Sequence, residues 1–201
     1  MKSELRIVTK CNKIAERYRV IHSFLSIFTQ VGHILFIIYG IWLWIYSANQ
    51  GNKYQKRKSA LVILLSVLFC SSFSFIIGKI WKRKRPFAKD DKISNFTGHK
   101  SNASFPSNHT MNSFAVIFQL YKDKIPGRFF MTVLAILLAF SRVFTGLHYP
   151  TDLIGGIAIA GSMHMFINRS PIMNFVQQLT VWSSLLTDSV LYFIKKSMVI
   201  I

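Results

Sequence analysis

Ser141-Arg142-Val143-Phe144-Thr145-Gly146-Leu147-His148-Tyr149-Pro150-Thr151-Asp152 joins two apolar segments and places an arginine, a histidine and an aspartate in one short connection. A charge at bilayer depth costs several kcal/mol, so membrane chains keep such residues there when they are used. Two further polar clusters sit at the ends of other apolar segments. One is Ser104-Phe105-Pro106-Ser107-Asn108-His109-Thr110, and the other runs from Lys79 to Arg85-Pro86.

Outward from these clusters the chain reads as an integral membrane protein. Its 201 residues suit one domain, and 51% of them are hydrophobic, grouped in long blocks. No Lys, Arg, Asp or Glu occurs from Val20 to Asn52, enough for a span of about 20 residues. Ser59–Gly78 is a second such block, and the two spans are expected at about Ile21–Ser47 and Ser59–Ile80. Ser107–Tyr121, Phe129–Ser141 and Leu153–Asn168 are shorter, rising only about 20–24 Å as helices. Phe175, Leu179, Trp182, Leu186, Val190 and Phe193 form a further helical stripe, diluted by Gln177, Gln178, Ser183, Ser184 and Asp188. The pattern predicts an all-α membrane bundle of five or six spans. Ahead of it, Ile7, Cys11, Ile14, Tyr18 and Ile21 recur at helical steps opposite Arg6, Lys10, Lys13 and Arg17, which predicts an interfacial helix. Met1–Arg19 is charged throughout, so no cleavable leader is read there.

A net charge of +18 could point to nucleic acid, but no reader motif is present. Polybasic stretches beside membrane spans bind anionic head groups, so membrane lipids are the expected partners. Cys11 and Cys70 have neither metal spacing nor a disulfide framework. No cofactor and no metal site is expected, and the oligomeric state is left open.

The three clusters resemble the type 2 phosphatidic acid phosphatase (PAP2) superfamily. Its signature is a Lys and an Arg-Pro, then Pro-Ser-Gly-His, then Ser-Arg-x5-His-x3-Asp. The third element is matched in full by Ser141, Arg142, His148 and Asp152. The second is matched at Pro106, Ser107 and His109, with Asn108 in place of glycine. The first keeps Arg85-Pro86, while Lys79 lies one residue nearer the arginine than expected and Gly78 holds the usual lysine position. The middle cluster is most similar to undecaprenyl-diphosphate phosphatases of the bacitracin-resistance type. The implied organisation is a basic interfacial helix at 1–21, a PAP2-like catalytic domain at 22–168, and a C-terminal span or interfacial helix at 169–201.

The resemblance implies a phosphatase working through a phosphohistidine. His148 becomes the nucleophile, Asp152 orients its ring, and His109 is the general acid and base. Lys79, Arg85 and Arg142 bind phosphate oxygens. The amides of Ser107, Asn108 and His109 at a helix start supply further donors, as free N–H groups there attract anions. The implied substrate is undecaprenyl diphosphate, a polyprenyl carrier lipid. Phosphatidate and phosphatidylglycerophosphate are the alternatives within the chemistry, and a non-catalytic lipid-binding or transport-associated protein is the alternative outside it. The resemblance also places the catalytic face outside the cytoplasm. On the opposite loops Lys53, Lys56, Arg57, Lys58, Lys122, Lys124 and Arg128 then give a positive-inside bias. Histidines outside the motifs, His22, His33, His99 and His164, read as packing residues. Lys82, Arg83 and Lys84 read as a solvated basic loop. Asn95-Phe96-Thr97 and Asn102-Ala103-Ser104 match the glycosylation pattern only as short chance motifs.

Overall fold

Long apolar runs without Pro or charge lie within two helices of 28 and 29 residues, and shorter motif-bearing runs pack against them. In a computed structural model, residues 2–46 and 52–199 are described, with the side chains of Ser170, Met198 and Val199 left out. Helix α1 covers Lys2–Arg17, α2 Arg19–Tyr46, α3 Lys53–Trp81, α4 Asn108–Lys122, α5 Arg128–Phe144, α6 Pro150–Ile167 and α7 Ser170–Val199. A short 3-10 turn, Pro86–Ala88, interrupts the loop between α3 and α4. The protein is all-α, as expected.

The expectation of five or six spans needs correction. Among the described residues, two segments are long and apolar enough to cross a membrane: Arg19–Tyr46, and the stretch from Lys53 to Ala88 that contains α3. Helices α4, α5 and α6 have 15, 17 and 18 residues, which reach only about 22–27 Å against a hydrocarbon core of about 30 Å. Helix α7 is continuous over 30 residues, but its polar positions dilute its hydropathy. It packs along α3. The expected end of the first span at Ser47, and the start of the connection at Asn49–Gly51, lie outside the described residues.

Helix α4 is the hub, packing against α6, α3, α5 and α2. Val116, Ile117 and Leu120 of α4 meet Phe36 and Leu43 of α2, Ile63 of α3, and Met131, Ala135 and Leu138 of α5. Around this core, apolar side chains such as Ile37, Ile38, Leu68, Phe75, Phe129 and Leu186 stand exposed. Exposed apolar surface this extensive is the mark of a lipid-facing protein.

The N-terminal helix sits differently from the expected surface helix. Ile7, Ile14 and Tyr18 of the expected stripe are each about half exposed, at 48%, 50% and 52%. The buried face is Val8, Asn12 and Ala15, laid against α2, α5 and α6. Asn12 donates from Nδ2 to the carbonyls of Ser94 and Phe144 and accepts the Ser94 N–H. Helix α1 therefore clamps the long loop before α4 to the end of α5. Ile21 belongs to α2, as α1 closes before Tyr18.

The loop expected at Asn49–Lys58 is largely helical, since α3 begins at Lys53. Arg57 is fully buried there. It donates to the carbonyls of Trp44 and Ser184 and to Asp188, 2.8 Å away, and Asp188 also takes Lys53 at 3.0 Å. This network fastens α7 to α3.

Candidate phosphate site

The polar clusters converge where α3 ends, α4 starts, α5 ends and α6 starts. Two glycine positions make the approach close enough. A Cβ on Gly155 of α6 would lie 2.4 Å from the Phe105 ring, so the chain ahead of α4 can lie directly on α6. Gly146 adopts φ +73°, and a Cβ there would meet Ile93 at 2.5 Å. A left-handed turn free of Cβ clash thus folds the Thr145–Tyr149 connection under the α3–α4 loop.

His148 lies in that connection and is almost fully buried. Its Nε2 is 3.1 Å from Nη1 of Arg85. A guanidinium can only donate, so Nε2 is the acceptor and the neutral ring carries its proton on Nδ1. That nitrogen faces Oδ2 of Asp152 at 3.6 Å, an electrostatic distance that exceeds a direct hydrogen bond. Burial pushes the His148 imidazole down to about 3; Arg85 and Arg142 act in the same direction and Asp152 opposes them. The nitrogen nearest the cations is therefore unprotonated at neutral pH.

Asp152, fully buried at the start of α6, is held from several sides. Oδ1 accepts from Arg83 Nη1 at 2.6 Å, and Oδ2 accepts the Tyr149 N–H at 2.8 Å and the Ser104 hydroxyl. Arg83 also reaches Glu4 of α1 at 3.2 Å and lies over the Tyr149 ring. The expected solvated loop at Lys82–Lys84 is thus corrected at Arg83, whose stem and charge are used by α1, α6 and the ring.

Arg85 and Arg142 are 5% and 2% exposed. Arg85 donates to the Leu147 carbonyl at 3.0 Å and to Asn102 Oδ1 at 2.8 Å. Arg142 donates from Nη1 to the carbonyl and hydroxyl of Thr29 on α2, at 2.7 and 2.8 Å. Its buried Nε has no partner among the described residues. A buried guanidinium with an unspent donor is a cost that an anion removes.

Lys79 stays outside this group. It is exposed and lies over the Phe75 ring at 4.3 Å. Gly78 is the α3 residue turned toward the site, 3.3 Å from Ala103 if given a Cβ, and one step of helix rotation carries Lys79 off that face. Ser107 also departs from expectation, because its N–H is spent on the Asp152 carbonyl at 3.1 Å and its hydroxyl on Thr110 at 2.9 Å. Asn108, His109 and Thr110 form the first turn of α4, whose amides have no intrahelical acceptor. Asn108 Oδ1 is buried without a partner.

Two histidines read as packing residues come to the same place. The ring of His33 on α2 meets His109 edge-on, with centroids 5.1 Å apart. His99 of the long loop is half-buried; burial lowers its pKa, and Arg85 and Arg142 add to that. His22 and His164 stay apart from the site, against Phe96 and Phe118 respectively. Among the described residues no cluster of three or more His, Cys, Asp or Glu could hold a metal ion.

From His109 a cavity of about 620 Å³ runs between α2, α3 and α4. His33, Asn108 and His109 line its site end, Trp44 and Ser183 the far end, and the wall between is apolar. From His33 to Trp44 along α2 is about 16 Å at 1.5 Å per residue.

Fold and site together define a membrane-associated helical protein in which buried guanidiniums, histidines and a helix start converge. The PAP2 superfamily model matches residues 58–175, and the chain belongs to the PAP2 superfamily. It is 31% identical over 119 residues to YbjG of Escherichia coli (strain K12), covering 58% of this chain and 56% of that protein. It is 26% identical over 142 residues to the undecaprenyl-diphosphatase BcrC of Bacillus subtilis (strain 168), covering 70% of each. The crystal structure of Aquifex aeolicus LpxE superposes with a TM-score of 0.66 at 19% identity, over 81% of this chain and 92% of that one.

Proposed function

We propose that this protein is a membrane lipid-phosphate phosphatase that hydrolyses undecaprenyl diphosphate to undecaprenyl phosphate and inorganic phosphate. The observation that carries this reading is the meeting of the His148–Arg85–Arg142 group with a long apolar cavity at His109. The cations suit a phosphate and the cavity suits a hydrocarbon chain. The similarity to BcrC supports the diphosphate over other lipid phosphates.

Arg85, Arg142 and the first-turn amides of α4 hold the terminal phosphate and stabilise charge on its equatorial oxygens, as fixed donors do in phosphoryl transfer. Arg85 releases His148 Nε2 to phosphorus. A nitrogen–phosphorus bond forms as the bond to the bridging oxygen breaks, and that oxygen leaves on the lipid monophosphate with a proton from His109. The imidazole now carries positive charge, which Asp152 stabilises across the Nδ1 side. Water then attacks the phosphohistidine, giving a proton to His109 and releasing phosphate and neutral His148. Lys79 has no part in these steps.

The catalytic face is proposed to lie outside the cytoplasm, with the basic loops around Lys53–Lys58 and Lys122–Arg128 inside. The substrate assignment is tested with the purified full chain in detergent, given undecaprenyl diphosphate and excess chelator. One phosphate released per lipid monophosphate formed is expected. Hydrolysis of phosphatidate or phosphatidylglycerophosphate without hydrolysis of the diphosphate contradicts the assignment.

A further inference from the structure

His33 is the one residue of the apolar run on α2 that turns a titratable side chain onto the reacting groups. Its neighbour one turn earlier, Thr29, accepts two hydrogen bonds from Arg142, so residues 29 and 33 share the face of α2 directed at the site. The α2–α5 contact is close at that turn, since a Cβ on Gly32 would lie 3.3 Å from Leu138. His33 is thereby set edge-on to His109 at 5.1 Å and 89°. Both rings line the cavity, and among the described residues no ring nitrogen of either makes a hydrogen bond to the protein.

Most other polar groups of the cavity are committed. Trp44 Nε1 donates to Thr187, Ser113 to the Thr110 carbonyl, Ser183 to Leu179 and Asn112 Nδ2 to Ser71. The uncommitted ones lie on the first two turns of α4 and the facing turn of α2: His33, His109, and the buried side-chain oxygens of Asn108 and Asn112. An apolar wall with donors at one end fits a ligand that is polar at one end and apolar beyond it.

In-line attack fixes which part of the substrate lies there. The phosphoryl group being transferred sits between His148 and the leaving oxygen, so whatever bears that oxygen lies on the far side, toward His109. For a lipid monophosphate that side holds an alcohol or ester carbon. For a lipid diphosphate it holds the second phosphate, which keeps its charge through the reaction and needs donors of its own. Arg85 and Arg142 are occupied with the first phosphate.

We infer that His33 is a specificity-determining residue that donates an N–H to the phosphate remaining on the lipid, selecting diphosphate over monophosphate substrates. This rests on the phosphatase reading above. The side-chain oxygen of Asn108 only accepts, while its Nδ2 can add a second, uncharged donor beside His33. A hydrogen bond to a charged group spans a range equivalent to about 10- to 100-fold in rate, and that range is the expected contribution.

The test compares kcat/KM for polyprenyl diphosphate and for polyprenyl monophosphate in the wild type, His33→Phe and His33→Gln. Phe keeps ring volume without a donor, whereas Gln keeps an N–H. The diphosphate-to-monophosphate ratio is expected to fall about 10- to 100-fold in His33→Phe and to recover in part in His33→Gln. An unchanged ratio in His33→Phe overturns the inference, whether both rates hold or both fall together. Should His33→Phe not fold, an unchanged ratio in His33→Leu or a full loss of preference in His33→Gln overturns it equally. A wild-type protein that hydrolyses neither of these lipids, nor phosphatidate or phosphatidylglycerophosphate, refutes the phosphatase reading itself. One that hydrolyses the monophosphate alone refutes the inference and leaves that broader reading standing.

Discussion

Replacing Asp152 by Asn removes one negative charge beside His148 while preserving side-chain size. The charge matters most when His148 bears phosphate, because the imidazole is then cationic. At 3.6 Å and an effective dielectric near 20, two unit charges attract by about 5 kcal/mol. That is an upper figure of about 10³-fold in rate. Asn returns part of it as a dipole, and the freed Arg83, formerly 2.6 Å from Asp152, adds repulsion toward the imidazolium. The expected loss in phosphoenzyme formation is therefore about 10²- to 10³-fold. The assay is rapid quench with labelled lipid diphosphate on the full chain in detergent, with melting temperature recorded alongside. Asn can still accept the Tyr149 N–H, so the protein should remain folded. A folded variant that loses less than tenfold would refute the electrostatic role assigned to Asp152.

Four further outcomes follow from the same geometry. Lys79→Ala should stay within about twofold of wild type, since an exposed cation–π contact contributes only about 0.5–1 kcal/mol, whereas Arg83→Ala should lower turnover at least about tenfold through the unpaired Asp152; steady-state kinetics on both variants decide it. Turnover should persist in excess chelator and be inhibited by vanadate, because Arg85 and Arg142 occupy the position a metal would take beside the phosphate, and restoration of chelated protein by one divalent ion would count against this. His148 is neutral in the fold down to about pH 3 but titrates near 6.5 when unfolded, so the unfolded state binds the extra proton and stability falls as pH drops from 6.5 toward 3; melting curves should lose less over that window in His148→Gln. Single cysteines at Asn52 and Asn95, in a chain lacking Cys11 and Cys70, should label with an impermeant reagent on intact cells at 95 and not at 52; the reverse turns the site inward.

The site was most legible where spacing and chemistry coincide. Arg142, His148 and Asp152 lie within eleven residues, and His109 follows a Pro-Ser helix start, so local sequence alone brings their roles near one another. Other members are joined only by tertiary packing. His33 and Thr29 sit in an apolar run whose pattern says span, and nothing in that pattern marks the face that meets α4 and α5. Arg83 is one of four consecutive cations at 82–85 and Arg57 one of several at 53–58, and a basic run does not reveal which member will be buried. For α1 the more hydrophobic stripe stays half exposed, and it hid the protein side, where the buried strip contains Asn12 and two small apolar residues. Lys79 failed for a simple geometric reason: one residue of offset is about 100° around a helix. The span count differs because apolar blocks of 15–18 residues are shorter than the two long helices and pack against α2 and α3.

The central claim is that His148 receives phosphate from a lipid diphosphate. The direct measurement exposes the purified full chain briefly to lipid labelled in its terminal phosphate, quenches in base and maps the label by peptide. An acid-labile, base-stable label on His148, accumulating further in His109→Ala, is the expected result. Label on a serine or a carboxylate, or steady turnover in His148→Ala, would contradict it.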